Sequence, residues 1–103
     1  MSGDRPIALG WVAPESAALE WGMAQVRRLA KRLGYRLVWA PDTSRIPLVD
    51  QVRETGAEAV IAPSTMDFDC MTLNALMMIA DVETVHPRLS FARWATTPPV
   101  ETR

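Results

Sequence analysis

Ile7-Ala8-Leu9-Gly10-Trp11-Val12-Ala13, stopped by Pro14 and followed up to Leu33 by apolar residues at three- and four-residue steps, decides the fold of this chain. A short unbroken apolar run ended by proline is the pattern of a strand covered on both faces. Pleating sends Ile7, Leu9 and Trp11 to one face and Ala8, Gly10 and Val12 to the other, where the small pair lets a helix come close. That helix is predicted over Pro14–Leu33, with Leu19, Met23, Val26, Ala30 and Leu33 as its apolar stripe. Arg27, Arg28, Lys31 and Arg32 suit the negative end of its dipole, and Gly34 can take a left-handed cap.

The same alternation continues outward. Tyr35 to Trp39 reads as a second strand closed by Pro41-Asp42, Ile46 to Thr55 as a short amphipathic helix ended by Gly56, and Ala57 to Pro63 as a third strand. A third helix is predicted from Cys70 to Val85, before His86-Pro87, and a fourth strand from Arg88 to Trp94. Strands separated by helices run parallel with right-handed crossovers. The expectation is therefore an α/β three-layer sandwich with a four-stranded parallel sheet in flavodoxin-like order 2-1-3-4 and helices on both faces. Residues 1–95 form the one domain in this reading, and 96–103 a flexible tail.

Composition bounds the function. The chain has 103 residues, 49% of them hydrophobic and 22% charged, with 11 Lys+Arg against 12 Asp+Glu; that is enough apolar material for a single core and too much for a disordered chain. No stretch reaches the roughly 20 apolar residues of a membrane span, and the N-terminus has no signal pattern, so a cytoplasmic protein is expected. Cys70 and His86, the lone cysteine and histidine, are too few for a structural zinc site. A net charge of -1 offers no general attraction to nucleic acid, and specific duplex binding is not expected.

In a sheet of this kind ligands gather beyond the carboxyl ends of the strands. Asp42, Asp67 and Asp69 would meet there, and an all-oxygen set suits magnesium; the competing and favoured reading has Asp42 and Asp67 capping turns and holding loop amides. No glycine-rich phosphate loop follows any strand, and no cofactor is expected. Cys70 opens an apolar helix, but no base can be placed beside it, so a buried, inert thiol is expected.

The order of elements and several phrases resemble the N-terminal catalytic domain of serine recombinases, the resolvase and invertase family. The phrases are Leu9-Gly10-Trp11-Val12-Ala13, the helix running to Leu33-Gly34-Tyr35, Asp42, Gly56-Ala57-Glu58-Ala59-Val60-Ile61, and Asp67-Phe68-Asp69-Cys70-Met71. The resemblance covers most of the chain. It implies a nucleophilic serine where Ala13 stands, its preceding arginine at Trp11, and two loop arginines at Phe68 and Met71; only Asp67 matches. Phosphodiester transfer needs a hydroxyl to attack phosphorus and guanidiniums to stabilise the developing charge. The resemblance thus implies a truncated, catalytically inactive relative, from a phage or mobile element, acting as an interaction or regulatory module.

Two surfaces are expected to carry contacts. Trp21, Gln25, Arg28 and Arg32 share the outer side of the first helix, a tryptophan–arginine combination typical of contact hot spots; the alternative is stacking of Trp21 on Gln25 or Arg28. On the third helix, Met71, Met78, Val82 and Val85 would form a second apolar face, predicted to be covered by a homodimer partner or by the chain's own tail through Trp94 and Val100.

Overall fold

The apolar run at the start of the chain becomes β1 (Ile7–Gly10), an interior strand of a five-stranded sheet. The computed structural model describes residues 5–13, 17–40 and 47–93. The other elements, in chain order, are α1 (Leu19–Leu33), β2 (Arg36–Trp39), α2 (Leu48–Thr55), β3 (Ala59–Ala62), α3 (Cys70–Met77), β4 (Asp81–Val85) and β5 (Arg88–Phe91). A 3-10 turn, Thr65–Asp67, lies between β3 and α3. Strand order is β2-β1-β3-β4-β5. The first four strands are parallel and β5 runs antiparallel to β4.

Both faces of β1 do what their residues dictate. Leu9, with Ile7 and Trp11 beside it, joins Val60, Leu76 and Val82 in a core covered by α2 and α3. Ala8 and Val12 join Val26, Leu29, Ala30 and Ile61 under α1. α1 ends at Gly34, whose φ of 84° suits a residue without a Cβ, and the Gly34 amide reaches Ala30 and Lys31 carbonyls. The buried stripe is Gly22, Val26, Leu29 and Ala30, so Leu29 replaces the expected Leu33, which is exposed. Gly22 matters to the layer spacing: a Cβ there would lie 2.9 Å from the Pro63 ring.

The expected third helix is too long. α3 stops at Met77, its last turn tightening as the Ile79 and Ala80 amides both bond to the Leu76 carbonyl. The segment that follows is β4, a strand, and the sheet has five strands rather than four. Val82 lies fully buried in β4, beside Val60 and opposite Phe91. Val85 packs toward the α1 layer. The expected face of Met71, Met78, Val82 and Val85 is therefore corrected: β-branched residues at 82, 84 and 85 favour extended backbone, and two of the four belong to the interior. The expected fourth strand is β5, and its antiparallel direction follows from the tight turn at His86-Pro87, since neighbouring strands joined without a crossover must reverse.

β4 also buries Glu83. The Ser90 hydroxyl donates to its Oε2 at 3.0 Å, and Arg88 Nη1 lies 3.0 Å from Oε1. The Arg88 nitrogen donates to the carbonyls of Leu89 (2.6 Å) and Thr84 (3.3 Å), so its pull on Oε1 is Coulombic rather than an aligned hydrogen bond. Among the described residues no helix is long and apolar enough to cross a membrane.

Candidate functional site

The carboxyl edge of the sheet is assembled by the turns after β1 and β3. Ser64 starts the second of these, its hydroxyl accepting the Met66 amide at 3.0 Å and holding the 3-10 turn. The turn carries Asp67 back over the end of β1. There Asp67 Oδ1 accepts the Ala13 amide at 3.1 Å, and the Trp11 indole Nε1–H donates to the Asp67 carbonyl at 2.9 Å. Asp69 caps α3: its Oδ1 accepts the Thr72 amide at 2.7 Å and its Oδ2 the Thr72 hydroxyl at 3.1 Å. Those bonds stabilise the charged form and hold the Asp69 carboxyl below its ordinary pKa, the amide contributing most and the hydroxyl next.

Asp67 thus holds a loop amide as the turn-capping reading expects, and Asp69, which that reading did not include, caps a helix. Asp42, the third carboxylate of the magnesium reading, lies outside the described residues, as do Trp94, Val100 and the 96–103 tail. Among the described residues no three His, Cys, Asp or Glu side chains gather as a metal cage. The expected burial of Cys70 is corrected: as the first residue of α3, next to the exposed cap Asp69, it is exposed.

The four positions at which the resemblance would put recombinase chemistry separate into two groups. Ala13 is buried at the end of β1. Trp11 and Phe68 pack against the α2–α3 core and line a hollow of about 200 Å3 with Leu48 and Asp67. Met71, by contrast, is exposed on α3.

Beside this edge opens a cleft of about 330 Å3, floored by Ala13, Gly22 and Pro63 and walled by Trp21, Met66 and Asp67. Trp21 is 50% exposed and Met66 88%. One edge of the Trp21 indole meets the His86 ring in a T-shaped contact, centroids 6.0 Å apart at 81°. His86 reaches that place because its amide, and that of Val85, bond to the Pro63 carbonyl. The expected stacking partners, Gln25 and Arg28, are not the ones in ring contact with Trp21. Arg28 and Arg32 are exposed on the same helix, while Gln25 is half-buried.

Sequence reasoning missed Met66 in the wall of the cleft and His86 as the ring partner of Trp21. It also missed a second concavity, beside β2, where Arg5, Arg36 and Trp39 join residues of α1. Comparison with family models, with curated proteins and with solved structures gave no match.

Proposed function

We propose that this domain is a non-catalytic protein-interaction module on a recombinase-like frame, and that it docks a peptide segment of a partner protein in the Trp21 cleft. The observation that carries the proposal is the bonding of Asp67. A recombinase-like relative must bring its nucleophile position and its loop aspartate together, and here Ala13 and Asp67 touch. The contact is structural, however: the carboxylate holds a backbone amide, and no hydroxyl is present at Ala13 to attack phosphorus. Strand order 2-1-3-4 is also the order that the resemblance implies.

What the edge offers instead is surface. A half-exposed tryptophan in T-shaped contact with His86, over an apolar floor, has the composition of a binding hot spot, and the exposed Arg28 and Arg32 follow two and three turns farther along α1. Its complement is a segment with one aliphatic or aromatic anchor for the cleft and an acidic flank for the arginines. The full chain should enrich such peptides from a displayed random library. Trp21→Ala should weaken the enriched peptides at least tenfold, equivalent to about 1.4 kcal/mol, without altering the far-ultraviolet spectrum. Enriched peptides that bind Trp21→Ala as well as wild type would overturn the docking site. Nicking of supercoiled plasmid, or a covalent protein–DNA adduct, would overturn the non-catalytic assignment.

A further inference from the structure

Four cations from three separate segments converge along the free edge of the sheet. Arg27 and Lys31 come from α1, Arg36 from the start of β2, and Arg5 from the chain entering β1; with Tyr35 and Trp39 they line a groove of about 460 Å3. No described residue lining it is acidic, and among the described residues none of the four cations forms an ion pair. The dipole of α1 explains basic residues in its last turns. It gives no reason for Arg5 and Arg36, which lie outside the helix, to close on the same hollow. Clustered like charge makes this hollow a locally positive surface on a chain of net charge -1.

The aromatic wall is built as firmly as the basic one. The Trp39 ring lies against Gly10 of the neighbouring strand, where an added Cβ would stand 2.7 Å from its Cε3, so the lack of a side chain at Gly10 gives the ring its seat. Over the ring sits the Arg27 guanidinium, its Cζ 5.9 Å from the centroid. Tyr35 is fixed by its own amide, bonded to the Ala30 carbonyl. β2 is the edge strand, with the Arg36 and Ala40 amides turned toward β1. By the alternation of a parallel ladder, the amides of Leu37 and Trp39 then face outward as further donors.

We infer that this groove binds single-stranded nucleic acid, its phosphates held among Arg5, Arg27, Lys31 and Arg36 and a base stacked on Trp39 in place of the Arg27 guanidinium. A stacking platform beside a basic track is the arrangement that retains single strands without reading sequence. A duplex keeps its bases stacked on each other and has none to offer Trp39. The groove is separate from the Trp21 cleft, so this inference does not depend on the peptide-docking reading.

The test uses the full chain and a fluorescently labelled twelve-residue oligothymidylate, with anisotropy followed from 50 to 200 mM salt. Four neutralised phosphates predict a log–log salt slope of about -3, at about -0.7 per phosphate. Lys31→Ala and Arg36→Ala should each make the slope shallower by about 0.7, and the Trp39 indole proton should shift on titration. Arg28→Ala, on the same helix but outside the groove, and Trp21→Ala should leave binding unchanged. The inference fails if the oligonucleotide does not bind at 50 mM salt, or if Arg28→Ala weakens it as much as Arg36→Ala. It also fails if thymidine monophosphate, duplex DNA or phosphatidylserine vesicles bind at least as tightly.

Discussion

Asp69 shows how one side chain settles a local choice. With both oxygens engaged by Thr72, its carboxyl titrates below its ordinary value of 3.8. A lowered folded-state pKa means that stabilisation is present above the unfolded value and is lost as pH falls through the folded one. Asp69→Ala should therefore melt below wild type at pH 7, and the gap should close as pH is taken from about 4 to 2. Thermal melts across that range check this; a gap that persists in full at pH 2 speaks against the cap. The sequence left Asp67 open between metal ligation and turn capping and offered Asp69 only as a metal ligand, because a loop carboxylate serves either. What distinguished them was local: Asp69 immediately precedes the helix, with Thr72 three residues on, while the Asp67–Ala13 bond spans 54 residues and has no local signature. Gly10 illustrates the same limit. That it is small was legible, but not that the indole of Trp39 fills the space.

Among the elements, β1, α1, β2, α2 and β3 emerge close to their expected positions because each has one period and a clear terminator, with Gly34 and Gly56 at φ 84° and 69° closing the two helices. The region after Met77 has no such terminator. Its apolar run Met78-Ile79-Ala80 continues the helix pattern into a strand buried by β3 on one side and β5 on the other, and a run apolar in every direction does not reveal its period. The density of β-branched residues from Val82 to Val85 was the signal available. Two substitutions separate helix from strand. Val82→Asp places a carboxylate at a fully buried position and should cost more than about 3 kcal/mol, abolishing cooperative unfolding. Met78→Asp, at a residue 57% exposed, should change stability by no more than about 0.5 kcal/mol in urea titration. Equal, mild effects at both positions would restore the longer helix.

For the whole molecule, α1 links two surfaces of different character. Trp21 and Lys31 lie ten residues apart on one helix, about 15 Å at 1.5 Å per residue, so an apolar cleft at one end and a basic groove at the other can be filled at once. The α1 side of this arrangement was partly legible, since Trp21 and the basic run are consecutive in one helix. The groove was not, because Arg5 and Arg36 are 31 residues apart and meet only when β2 pairs with β1. The reversed direction of β5 has a further consequence. Strands that all ran one way would bring the chain out beyond the carboxyl edge. Instead Arg93 returns to the opposite edge, where its amide bonds to Asp81 at the start of β4 at 2.6 Å, three strands from the entry into β1. At about 4.8 Å per strand that separation is about 15 Å, within reach of a linker of about six residues. The fold therefore lends itself to circular permutation: joined from residue 93 to residue 5 and opened at exposed Gly56, the rearranged chain should give the parent's near-ultraviolet spectrum and still bind through Trp21, because neither the cleft nor the sheet register depends on which peptide bond is the first to be made.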